Sequence, residues 1–152
     1  MPNYKGHLVG GVAAYALVLL LVIGTAPSLI TAFEWLLCAL AGCLFPDIDT
    51  KSKGQKYFYR GVLMSFIVLV SQGKYEVLSC CSFIMITPML VRHRGVFHNP
   101  AFIMFIAAVV WILVSVSFPQ LSRPLLLNLL FFVVGAFSHI FLDRFVSRYF
   151  RS

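Results

Sequence analysis

The sequence predicts an all-α protein: a single integral membrane domain over residues 1–152, built as a polytopic bundle of about six membrane segments with both termini cytoplasmic. Three observations predict it. The chain is 61% hydrophobic and only 11% charged, with a mean hydropathy of +0.93, too much apolar surface for one small soluble core. Its apolar runs reach membrane-spanning length, so the bilayer is the solvent that suits them. Its cations are distributed unevenly between alternate connections, as a topology signal requires.

Taken in order, the apolar segments are Leu8 to Ala26, Leu29 to Phe45, Tyr57 to Ser71, Val77 to Val91, Ala101 to Phe118 and Leu125 to Phe145. At about 1.5 Å per residue, the first, fifth and sixth can cross a hydrocarbon core of roughly 30 Å, and the second is adequate. The third and fourth are short and carry Gln72 or Pro88 near their ends, which leaves two thin spans or a re-entrant hairpin. Either choice returns the chain to the side it left.

Ten of the twelve Lys and Arg residues (Lys5, Lys51, Lys53, Lys56, Arg60, Arg92, Arg94, Arg144, Arg148 and Arg151) lie at the termini or in the even-numbered connections. Lys74 and Arg123 fall in the odd ones. The bias puts the first group on the cytoplasmic side. The net charge of +7 then follows from topology and from attraction to anionic headgroups, and no nucleic acid partner is expected. Lys5 followed by an apolar run ending in GTAP resembles a signal peptide, but Pro27 disfavours cleavage there, so the segment is expected to stay as a span. Cys38, Cys43, Cys80 and Cys81 lack a CxxC spacing and read as small buried hydrophobes. Gly6 and Gly10 form a GxxxG, a sign of close packing around the first helix.

Against this apolar background the polar residues stand out. All four histidines and all three aspartates are expected at the cytoplasmic rim, whereas Glu34 and Glu76 lie toward the other face. His7 is at the start of the first helix, and Asp47 and Asp49 follow the second in LFPDIDT. His93 and His98 sit in VRHRGVFHNP, while His139 and Asp143 are in SHIFLDRF near the end of the last helix. A spacing of four stacks His139 and Asp143 on one helical face. Pro46 breaks the second helix so that Asp47 and Asp49 flank one residue of turn or extended backbone. Gly95 permits a turn between His93 and His98, and Asn99–Pro100 has the form of an N-cap followed by proline at the first helical position. Taken singly, each of these residues has an ordinary explanation as an interfacial histidine, a solvated turn or a hydrogen-bonded pair. Their joint placement at one rim favours a metal site.

The order of an N-terminal histidine, PDID at 46–49, HRGVFH at 93–98 and SHIFLD at 138–143 resembles the YdjM-type family of inner-membrane, metal-dependent hydrolases across nearly the whole chain. The resemblance implies hydrolase activity in the bacterial inner (cytoplasmic) membrane and a more distant similarity to the helical zinc phospholipase C and P1 nuclease group. It implies His7, Asp47, Asp49, His93, His98, His139 and Asp143 as metal or active-site positions. Phe97 and Asn99 depart from the small hydroxyl residue and the serine that the family usually has on either side of the second histidine.

Imidazole with carboxylate suits zinc, with manganese or magnesium as alternatives, and seven candidates could hold two ions about 3.5 to 4 Å apart. Asp47 or Asp49 is expected to bridge ions or to take a proton from water, with Arg94 steadying a phosphate. The expected substrate is a phosphoester, including one in a lipid headgroup, with the bilayer as the constant partner; amides and other esters are alternatives. Two other function classes use the same residue types. A cation transporter or proton relay would place them near the bilayer midplane, and a structural clamp would close the ligand shell without leaving a position for water.

Overall fold

The computed structural model describes residues 4–22, 24, 26–48, 53–71, 73 and 96–149. Five helices make up this part of the chain: α1 (Tyr4–Val22), α2 (Leu29–Leu44), α3 (Lys53–Ser71), α4 (Pro100–Ser117) and α5 (Ser122–Tyr149). Short 3-10 turns follow α2 at Phe45–Asp47 and precede α5 at Pro119–Leu121. No strand occurs among the described residues.

Local chemistry sets several boundaries. Ser28 caps α2 by accepting a hydrogen bond from the Thr31 amide at 3.2 Å, and Asn99 caps α4 by accepting from the Ala101 amide at 2.9 Å, with Pro100 at the first helical position. Pro46 stops α2 by turning its end into a 3-10 turn. Trp111 donates its indole N–H to the Ser122 carbonyl at 3.2 Å and closes the α4–α5 hairpin at the end opposite the histidines.

Four stretches are long and apolar enough to cross a membrane: Lys5–Val22, Leu29–Asp47, Pro100–Ser117 and Pro119–Phe145. They correspond to the first, second, fifth and sixth expected segments. The third forms a helix that starts at Lys53 rather than Tyr57, and its polar first turns leave it outside this set. The fourth expected segment, Val77 to Val91, lies outside the described residues. The first helix begins at Tyr4, ahead of Leu8, and the last runs further than its apolar pattern marks, α5 covering 28 residues, about 42 Å at 1.5 Å per residue.

The centre of the bundle is the triplet α1, α2 and α5, with α4 packed on α5 and α3 on α2 and its following turn. Lipid-embedded helices gain little from hydrophobic exclusion, so they associate where small residues let backbones approach. Gly42 and Gly135 do this reciprocally. A Cβ on Gly42 would run into the Phe132 backbone, and one on Gly135 into the Ala39 backbone. Gly11 faces the Cys43 side chain, which a Cβ there would meet at 3.0 Å, and Gly10 faces Leu142, so α1 lies in the groove between the other two. The expected close packing around α1 is therefore present, with Gly11 as well as Gly10 at the contact. Tyr15 adds a polar tie by donating its hydroxyl to the Ala32 carbonyl at 2.9 Å. Trp35 and Phe131 stack beside it with ring centroids 4.9 Å apart. Cys38 and Cys43 are free thiols, and Cys43 is buried, as its apolar setting suggested.

The crossing gives the first prediction. Gly135→Ala forces a methyl into the α2 backbone, which cannot retreat as a side chain would, and is expected to cost at least the 1–3 kcal/mol typical of overpacking. Gly61→Ala on α3 meets nothing within 4 Å and is expected to be neutral or slightly stabilising. Thermal unfolding of the two variants in detergent checks this; equal midpoints would contradict it.

Candidate metal centre

Antiparallel succession returns the start of α1, the end of α2, the start of α4 and the last third of α5 to one rim. His7 comes from α1, Asp47 from the 3-10 turn after α2, His98 from the turn before α4, and His139 and Asp143 from α5. The structure thus brings together five of the seven metal candidates. Asp49, His93 and the candidate phosphate contact Arg94 lie outside the described residues.

The geometry is tight. His7 Nε2 is 3.5 Å from Asp143 Oδ1. Asp143 Oδ2 is 3.4 Å from His139 Nε2 and 3.5 Å from His98 Nε2. Asp47 Oδ1 lies 3.7 Å from His139 Nε2 and 3.8 Å from His98 Nε2. Ligand atoms arranged tetrahedrally around an ion at about 2.0 Å would be about 3.3 Å apart, so this spacing is what a shared cation requires, allowing for slight expansion when none is present. Two triplets of ligand atoms lie within 4.8 Å of one another, His7–His139–Asp143 and Asp47–His98–His139.

Three further observations fit a cation. His139 Nδ1 lies 2.6 Å from the Cys43 carbonyl oxygen. A carbonyl can only accept, so Nδ1–H donates, which leaves Nε2, facing the carboxylates, as the nitrogen that would ligate an ion, the arrangement that orients histidine ligands in metal proteins. His139 Nε2 and Asp143 Oδ1 are both buried and have no hydrogen-bond partner in the structure. Leaving such atoms unpaired costs about 1–3 kcal/mol each, and a bound ion would remove that cost. His7 also stacks on His139, with ring centroids 3.7 Å apart and planes inclined by 14°. That contact is comfortable for neutral rings and unfavourable for two cationic ones.

Burial falls from one side of the cluster to the other. His139 and His7 are 1% and 3% exposed and Asp143 13%, whereas Asp47 and His98 are 30% and 31% exposed. The cluster therefore has a sealed wall and an open wall, and solvent reaches it from the open one.

An aromatic cluster holds the open wall in place. Phe97, 1% exposed, meets Phe45 edge-on at 5.6 Å and Phe102 at 5.5 Å. Phe45 precedes Pro46–Asp47 and Phe97 precedes His98, so this contact joins the two turns that carry the exposed ligands. Phe97 fills core space where the resemblance leads one to expect a small hydroxyl. Gln55 secures the same turn from α3, donating its side-chain amide to the Ile48 carbonyl at 2.7 Å.

Sequence reasoning did not single out the Cys43 carbonyl, the Phe45–Phe97 contact or the Gly42–Gly135 crossing. The only local signal for the crossing is the pairing of small residues, Ala39 with Gly42 and Gly135 with Ala136, inside otherwise bulky apolar runs.

A comparison with family models aligns residues 1–150 with the YdjM inner membrane protein family. No curated protein and no solved structure matches the chain significantly. The alignment covers nearly the full length and agrees with the four apolar helices, so the chain belongs to the YdjM inner membrane protein family and is a multi-pass protein of the inner membrane.

Proposed function

We propose that this protein is a membrane-bound, metal-dependent hydrolase that cleaves a phosphoester at the cytoplasmic face. The observation that carries the reading is the convergence of three imidazoles and two carboxylates from four separate elements, at 3.4–3.8 Å, with a sealed side and an open side. A divalent ion held by these residues, zinc or else manganese or magnesium, would supply a water of lowered pKa and a Lewis acid for the phosphoryl oxygen.

The chain's own groups divide the remaining work. His139, fixed by the Cys43 carbonyl, keeps its lone pair aimed at the carboxylates. Asp47 is the most accessible described carboxylate of the cluster and takes the proton of the attacking water. Exposed cations at the same rim (Lys5, Lys53, Lys56 and Arg144) draw an anionic substrate toward the open wall. Arg94, four residues before His98 in the sequence, is assigned to the phosphate because its planar fork suits two phosphate oxygens. Partial exposure of His98 and Asp47 favours this reading over a clamp, which would close its ligand shell. Clustering at a rim favours it over a transport site, which would lie near the midplane.

Purified protein is expected to retain a divalent metal, and His139→Ala and His98→Ala are each expected to lower its content, read by mass spectrometry of the metal. Content unchanged in both variants would remove this centre. Arg94→Gln is expected to keep the metal and the thermal midpoint of the parent and to lose most phosphoester turnover. Full turnover in that variant removes Arg94 from the mechanism. A metal-loaded parent inactive on phosphoester, ester and amide panels would replace the enzyme with a structural clamp.

A further inference from the structure

Resting on the metal-centre reading, we infer that the centre holds two ions, with His7 and His139 bound to different ones and Asp143 bridging them through its two oxygens. The sequence pattern pointed to Asp47 or Asp49 as the bridge; the geometry points to Asp143.

The reason is the ring stack. An imidazole nitrogen offers its lone pair in the plane of the ring, so an ion binds close to that plane, at about 2.0–2.1 Å for zinc. The His7 and His139 rings are 3.7 Å apart between centroids and inclined by only 14°. An ion midway between nearly parallel planes at up to that separation would stand as much as about 1.8 Å out of each, almost the full length of the bond. One ion therefore cannot take both rings, although the two nitrogens and Asp143 are close enough by distance alone. His139 cannot divide itself between ions either, because Nε2 has one lone pair and Nδ1–H is committed to the Cys43 carbonyl.

Asp143 resolves the arrangement. Its Oδ1 faces His7 Nε2 at 3.5 Å, and its Oδ2 faces His139 Nε2 at 3.4 Å and His98 Nε2 at 3.5 Å. Asp47 Oδ1 completes the second group, beside His98 and His139. The carboxylate thus presents one oxygen to each ring of the stack. The spacing of the stack matches the roughly 3.5–4 Å between ions of two-metal sites. The consequence is a division of labour: a buried ion on the His7 side, and a partly exposed ion on the His98–Asp47 side that meets the substrate.

The test uses full-length protein in detergent, stripped of metal and reloaded with manganese alone. Metal per chain is measured by mass spectrometry, and coupling between ions by electron paramagnetic resonance. The parent is expected to bind about two manganese ions with an exchange-coupled spectrum. His7→Gln is expected to bind one, with the six-line spectrum of an isolated ion. Asp143→Asn, whose amide cannot bridge, is expected to lose the coupling. A parent that saturates at one uncoupled ion overturns the inference, as does coupling that survives Asp143→Asn. Should Asp143→Asn fail to fold, the parent and His7→Gln decide the matter, and a His7→Gln protein that still binds a coupled pair overturns it. Hydrolysis by a one-ion parent would leave the enzyme reading standing without this inference, and a coupled pair without hydrolysis would do the reverse.

Discussion

The backbone contact between α2 and α5 at Gly42 and Gly135 is the constraint on which the rest of the structure depends. Apolar side chains cannot draw these helices together in lipid, because acyl chains solvate them equally well. Removing two Cβ atoms lets the backbones touch, and dispersion and short polar contacts then hold them. Residue 43 follows one of these glycines directly, and residue 139 lies about one turn beyond the other. The crossing therefore delivers the Cys43 carbonyl to His139 Nδ1. Packing and site chemistry thus share one region, and a change at Gly135 would be expected to reach the cluster through the orientation of His139.

Local features of the sequence were readable because their causes are local. The four-residue spacing of His139 and Asp143, the Asn99–Pro100 helix start and the proline stop after α2 each depend on a few neighbouring residues. The apolar runs of α1, α2, α4 and α5 were legible because span length is a property of composition. The α2–α5 crossing was not, since a glycine in an apolar run does not specify which distant backbone will face it, Phe132 for Gly42 and Ala39 for Gly135. The GxxxG at Gly6 and Gly10 drew attention to α1, whereas the closest backbone approaches among the described glycines involve α2 and α5. Reading Cys43 as a small hydrophobe was right for its thiol and blind to its carbonyl. Ring orientation is likewise invisible in sequence, which is why the stacking of His7 on His139, and with it the role of Asp143, appears only in three dimensions.

The burial gradient links this architecture to function. His7 and His139 sit in the groove of the central triplet, where the glycines bring the helices closest, and are almost sealed. His98 and Asp47 ride on turns outside that triplet, held by Phe97 on Phe45 rather than by a helix crossing. A rigid inner wall would keep imidazole and carboxylate positions fixed, and on the proposed reading the outer wall would admit water and substrate. If the spans cross the bilayer as their length suggests, a centre at their ends, beside exposed lysines and Arg144, would lie at the level where phosphate groups meet the membrane.

The central claim is that nitrogen and oxygen atoms of these histidines and aspartates bind divalent metal. X-ray absorption at the edge of whichever ion the purified protein retains tests it most directly, because the spectrum identifies the nearest atoms. The account predicts a first shell of nitrogen and oxygen at about 2.0–2.2 Å, with the outer-shell scattering of coordinated imidazole. Sulfur at about 2.3 Å, which would place the ion at the cysteines, or a protein that retains no metal, would contradict it.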